Sequence, residues 1–216
     1  MKASINTLVG ILVLSSSIFS GCAYMDANVD LQYQPDPGRK SPLSTIPPLV
    51  ISINVEDQRG RGECCRVGVK KNAFGGITAW AKSNTALRQV VYDALKKELE
   101  NNAHKVVDMK EDHQDVAINV GLKNYWTDYN SRFVEIEMIG TINADISMLN
   151  PADRTVLVSK PMTSTFHEGR QFVTEGAFES VLNGALVEFV RTFSREPGFV
   201  GALRAAAKDK VSRIVR

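Results

Sequence analysis

Between Val134 and Met148 the chain alternates almost without a break. Val134, Ile136, Met138, Ile142, Ala144, Ile146 and Met148 fall on one side of an extended chain, with Glu135, Glu137, Thr141, Asn143, Asp145 and Ser147 on the other. Successive side chains of a strand point to opposite faces, so this run predicts a strand with one buried and one wet face. Asn150-Pro151-Ala152-Asp153 supplies turn residues. Val156, Val158, Met162 and Phe166 then return as an antiparallel partner. A hairpin of this kind needs a second layer over its apolar face.

Two helical segments can supply that layer. Leu87, Val90, Val91, Ala94, Leu95 and Leu99 recur at three- and four-residue spacing after Asn84 and Thr85, either of which can cap the first turn. Phe178, Val181, Leu182, Ala185, Leu186, Phe189, Val190 and Phe193 make a broader apolar stripe within 174–195. Pro197-Gly198 interrupts it, and a short basic helix over 199–210 closes the pattern. Further strands are expected at Leu49–Val55, Cys64–Lys70 and Ile77–Ala81. Another is expected where Val116, Ile118, Val120 and Leu122 alternate with Ala117, Asn119, Gly121 and Lys123, ending before a loop around Asp128-Tyr129-Asn130. The expected fold class is α+β: a two-layer sandwich, with a mostly antiparallel sheet of four to five strands and two main helices packed on one face.

The N-terminus carries an address. Lys2 is the sole charge before Asp26, and the apolar run Leu8 to Leu14 leads into serines and then Phe19-Ser20-Gly21-Cys22. This is the layout of a secretory signal, too short and too rich in serine for a spanning helix, which takes roughly 20 apolar residues. The last four residues resemble the lipobox of bacterial lipoproteins, with Phe19 in place of the usual leucine. That resemblance implies a cut before Cys22 and acylation of its sulfur. Each buried CH₂ contributes about 0.8 kcal/mol, so three acyl chains make a lasting anchor. Ala23, rather than aspartate, follows the cysteine, which by the enteric sorting rule implies the inner leaflet of the outer membrane, with the body facing the periplasm. The expected organisation is a signal peptide over 1–21 and a lipidated, proline-rich tether over 22–48. A single periplasmic domain over 49–210 and a basic tail over 211–216 follow. Pro35, Pro37, Pro42, Pro47 and Pro48 favour an extended tether.

Removing residues 1–21 takes one lysine and no acid from 26 basic and 24 acidic residues, leaving a charge of +1. Nucleic-acid binding needs a basic stripe to displace counterions, so this balance argues against it. Chemistry-bearing motifs are sparse. The sequence holds no nucleophile elbow, phosphate loop or zinc-protease motif. His104, His113 and His167 fall in separate segments, no cofactor or metal is expected, and Cys64-Cys65 lacks the spacing of a zinc or thioredoxin-like site. Glu135, Glu137 and Asp145 share a strand face and are the candidate acid–base carboxylates. Asp57-Gln58-Arg59 is a candidate structural or ligand loop, since acid and guanidinium can form a fork-like pair. Tyr125, Trp126 and Tyr129 are a candidate interaction surface, and Trp80 is a further exposed-aromatic candidate.

The order of lipobox, proline-rich tether and apolar strand ending in Asp57-Gln58-Arg59 resembles the YajG-like lipoproteins of proteobacteria. The helix Leu87 to Leu99, the paired strands and the late helix around Phe178 extend the likeness over most of residues 8 to 205. The chain departs from them in Cys64-Cys65 and in its longer basic tail. The resemblance implies an envelope lipoprotein and no particular activity. Three readings follow. The leading one is a non-catalytic lipoprotein, held to membrane lipid through acylated Cys22, whose domain binds an envelope protein partner. The alternatives are an auxiliary lipoprotein of a transport system, handling lipid or lipopolysaccharide in an apolar groove, and a hydrolase of peptidoglycan or glycans using the strand carboxylates.

Overall fold

The structure, a computed structural model, describes residues 25–36, 38–60, 65–72, 74–108, 113–131 and 136–214. The signal segment, Cys22, Cys64 and Glu135 lie outside the described residues. Among those described, the strands are β1 (Ala27–Val29), β2 (Val50–Asp57), β3 (Arg66–Lys71), β4 (Ile77–Ser83), β5 (Lys105–Val107), β6 (Val116–Ser131), β7 (Ile136–Leu149) and β8 (Val156–Arg170). The helices are α1 (Leu87–Asn101), α2 (Glu175–Arg195) and α3 (Pro197–Ile214).

β6 is the spine of one open sheet. Along one edge it pairs antiparallel with β7, from Ala117↔Leu149 to Ser131↔Ile136, and β7 pairs likewise with β8. The other edge of β6 is shared. β2 runs parallel to its first half, from Ile51↔Val116 to Asp57↔Leu122, and β3 joins it at Gly68↔Thr127. The sheet therefore forks into one arm of β2 and β5 and another of β3, β4 and β1. The expected sheet of four to five mostly antiparallel strands is corrected to eight strands in a mixed sheet, and α3 adds a third helix to the expected two.

Two of the additional strands come from segments without a strand signal. β1 and β5 have three residues each, too few for alternation to register. β1 belongs to the segment expected to be a free tether, and most of that segment is folded onto the body. Ala27, Val29, Leu31, Leu43 and Ile46 are buried. Asn183 of α2 brackets the chain, its Oδ1 accepting from Gln32 N (2.9 Å) and its Nδ2 donating to the Asp30 carbonyl (3.2 Å). Prolines that favour an extended backbone here set a strap across two helices.

The helices pack on the alternating face. Met138, Ile142, Ala144, Ile146 and Met148 of β7 join Ile118, Val120 and Leu122 of β6 in one core with Phe178, Leu182, Leu186 and Phe189 of α2. Thr174 caps α2, its hydroxyl accepting from Ala177 N (3.2 Å). Neither Asn84 nor Thr85 caps α1; Ala86 occupies that position without a side-chain bond. Beyond the expected end at Lys210, α3 continues to Ile214, so the basic tail is largely helical.

At Gly140 of β7 the backbone of α2 comes close to the sheet. A Cβ there would stand 2.7 Å from the Val181 carbonyl oxygen and 3.1 Å from Ala185 Cβ. Because the first contact is backbone, the whole helix must move to admit a side chain. Gly140→Val should destabilise the fold by about 2–3 kcal/mol, the upper part of the overpacking range. Chemical denaturation would measure it, and an unchanged midpoint would show that the helix rides higher than described.

Candidate functional site

Asp57-Gln58-Arg59 sits at the fork of the sheet. Asp57 ends β2, and Arg59 turns back to it with Nη2 at 2.7 Å from Oδ2 and Nε at 2.9 Å from Oδ1. Arg59 N also donates to Asp57 Oδ1 (3.2 Å), and Nη1 donates to the Arg66 carbonyl at the start of β3 (2.9 Å). Gln58 N donates to the Leu122 carbonyl of β6 (2.9 Å). The Gln58 side chain lies over Gly121, within 2.7 Å of where a Cβ would stand. Burial raises the Asp57 pKa and the Arg59 fork lowers it by more, so the carboxyl stays below the usual aspartate range. The Arg59 side chain is only 4% exposed. The three residues thus bridge the gap between the two arms, and the guanidinium's bonds run to protein groups.

The aromatic trio does not form one surface. All three residues lie in β6 rather than in a loop. Tyr125 is fully buried and donates to the Leu182 carbonyl of α2 (3.1 Å), and burial pushes its phenol well above the ordinary range. Tyr129 is half-buried on the same face, and its hydroxyl accepts from Lys71 N (2.6 Å). Trp126 points to the opposite face, its indole N–H donating to Asp128 Oδ1 (3.3 Å). Tyr125 is therefore corrected from surface to core. Trp80 is covered by the Arg66 guanidinium, 4.2 Å from the ring centroid.

The strand carboxylates do not converge either. Glu137 faces His167 Nδ1 (3.2 Å) and Asp145 pairs with Lys123. Eight residues of one strand separate them, roughly 26 Å at 3.3 Å per residue. Among the described residues no group of His, Cys, Asp and Glu is arranged to hold a metal ion. His104 is buried, its Nδ1 accepting from Leu49 N (3.3 Å), whereas His113 is exposed. Cys65 is half-buried just before β3, its carbonyl accepting from Ser83 N (2.7 Å).

Two features went unread in the sequence. The first is a polar cleft of about 200 Å³ between the strap and the helices, bordered by Arg39, Lys40, Arg191 and Arg195. On its wall Tyr33 donates to Glu98 Oε2 (2.7 Å), and behind Glu98 the buried Asn102 donates from Nδ2 to Glu98 Oε1 (3.0 Å). Burial and the Glu98 carboxylate both push the Tyr33 phenol upward. Glu98 and Asn102 at i and i+4 were its one sequence signal; Tyr33 is too remote in the chain to be read with them. The second is the outer sheet face. On β8, Thr163, Thr165 and His167 are exposed, and on β7, Thr141, Asn143, Asp145 and Ser147 are partly so. Among the described residues β8 pairs only with β7, leaving a 15-residue edge open.

No protein-family model matches the chain, and no curated protein matches it by sequence. Solved structures do. A crystal structure from Xanthomonas campestris, assigned to the family DUF330, aligns with a TM-score of 0.58 at 13% identity, covering 87% of this chain and 98% of that one. A lipoprotein from Neisseria meningitidis aligns at 9% identity over 77% and 99% of the two chains, with a TM-score of 0.35. A minor lipoprotein from Acinetobacter baumannii aligns at 14% identity over 69% and 92%, with a TM-score of 0.37. At these identities the likeness is one of fold, and the DUF330 structure carries it: the two chains share one α+β architecture over nearly their whole length.

Proposed function

We propose that this chain is a non-catalytic lipoprotein of the bacterial envelope, anchored through acylated Cys22, whose uncovered sheet face binds another envelope protein. The address rests on the sequence: a short charged start, an apolar run and Phe19-Ser20-Gly21-Cys22. Ala23 directs it to the inner leaflet of the outer membrane, and the segment order keeps the YajG-like lipoproteins as the narrower family reading. No described helix is long and apolar enough to cross a membrane.

The observation that carries the binding reading is the outer face of β6, β7 and β8. It is polar and built on long strands, and the edge of β8 left open among the described residues offers backbone donors and acceptors to an added strand. The alternatives ask for features that the geometry disfavours. Carriage of a lipid needs an apolar channel, whereas the space between α2 and the sheet is filled by Phe178, Phe189 and Phe193, each fully buried. Hydrolysis needs carboxylates within one cleft, and Glu137 and Asp145 lie eight residues apart on one strand, each with its own partner.

A photoreactive phenylalanine analogue at Thr163 tests the reading in cells. We expect one reproducible envelope-protein adduct from Thr163 and none from Phe74 at the end of the sheet. Equal labelling of many proteins, or none, would contradict a specific partner for this face.

A further inference from the structure

The described chain begins at Met25, three residues beyond Cys22. It is pinned at once. Lys70 Nζ donates to the Met25 carbonyl (2.9 Å), Asp26 Oδ1 accepts from Trp80 N (2.8 Å), and β1 then pairs in parallel with β4. Three residues of extended chain reach at most about 10 Å. An acyl group on Cys22 therefore holds the bilayer surface within roughly that distance of Met25. The position of Met25 on the fold decides which end of the molecule meets the membrane.

Met25 lies beside the β3–β4 hairpin. Lys70 pairs with Ala79 and Lys71 with Ile77, so the tip lies just beyond. The tip is a built turn. Asn72 N donates to the Gly76 carbonyl and Gly75 N to the Asn72 carbonyl, each at 2.9 Å. Asn72 Oδ1 accepts from Phe74 N (3.0 Å) and Gly76 N (2.9 Å), and Gly75 takes a φ of 81° that suits glycine. This turn holds Phe74 outward at 96% exposure, with Ile77 at 56% and Met25 at 67%. Phe172, 74% exposed, follows β8 at the same end of the sheet, since Arg170 pairs with Ile136 opposite the end of β6. Of the six large apolar side chains exposed among the described residues, four lie at this end. The other two, Val156 and Val211, lie at the opposite end, where Lys210 reaches Asp115.

Resting on the lipid-anchor reading, we infer that this end is a second membrane contact. The Phe74–Ile77 tip, with Met25 beside it, seats in the interfacial layer of the bilayer that holds the acyl chains of Cys22. Aromatic and apolar side chains favour that layer, and Lys70 and Lys71 at the base of the tip stand at the level of the lipid phosphates. The contact fixes orientation. β6 spans 16 residues, roughly 50 Å, so the sheet stands upright on the membrane and its far end projects away.

Purified acylated full-length protein in vesicles of phosphatidylethanolamine and phosphatidylglycerol tests this. A photoreactive benzoylphenylalanine replaces Phe74 in one sample and Val211 in another, two exposed apolar positions at opposite ends. We expect phospholipid adducts from position 74 and none above the unilluminated background from position 211. The mass of the N-terminal peptide in the same samples reports the anchor separately. An acylated chain with equal adducts from both positions, or with protein adducts alone from position 74, overturns the second contact and leaves the anchor standing. An unmodified Cys22 overturns both.

Discussion

Arg59→Ala should lower the unfolding free energy by about 3 kcal/mol, close to the penalty for stripping one partner from a buried ion pair. The guanidinium is almost fully enclosed, and its removal leaves the Asp57 carboxylate and the Arg66 carbonyl without their shared donor. For a chain of this size the midpoint of thermal unfolding should fall by roughly 6–12 °C. The pH dependence has a definite sign. The Asp57 pKa is depressed in the folded state, so its pairing contributes stability above about pH 4 and loses it as pH falls through the folded value. The gap between parent and variant should narrow below pH 4. A gap that stays constant to low pH would mean that packing of the arginine stem, rather than the charge pair, holds the fork together.

Phe178→Ala should cost about 3–5 kcal/mol, the usual range for emptying a buried phenylalanine site. Phe178 is fully buried in the first turn of α2, and its ring lies over Gly68, with Cε1 3.1 Å from where a Cβ would stand. It therefore ties the helix to the β3 arm, which meets β6 at Gly68↔Thr127. Loss of the ring should loosen that arm first, so hydrogen exchange should accelerate in β3 and β4 before β7. A variant with uniform exchange and an unchanged midpoint would contradict this role.

How much of this was legible depends on where the period of two held. β7 and α2 were readable because their apolar patterns run long and nearly unbroken, and β8 followed as the partner returning after the turn at 150–153. β6 was cut short, and the reason is local. Between Leu122↔Ala144 and Asn124↔Asn143 the strand carries a bulge at Lys123. One extra residue shifts the phase, so Leu122 and Tyr125 face the core although they differ by three. Read without the bulge, the alternation ends at Leu122 and a loop is expected. The same shift put Tyr125 and Tyr129 on the helix side, with Trp126 behind them, undoing a patch that looked continuous in the chain. The Asp57–Arg59 pair was readable because both partners sit within one loop. The strap was not, because its proline-rich segment has no period and its partners, such as Asn183, lie some 150 residues away. Phe74 had one faint signal, a phenylalanine set among Asn72, Gly75 and Gly76.

Anchoring depends on Cys22, and the most direct measurement is the mass of the N-terminal peptide of the protein extracted from cell envelopes with detergent. The expected peptide starts at Cys22, with a diacylglycerol on its sulfur and an acyl group on its amine. A peptide that retains residues 1–21, or that leaves Cys22 unmodified, would contradict the anchor.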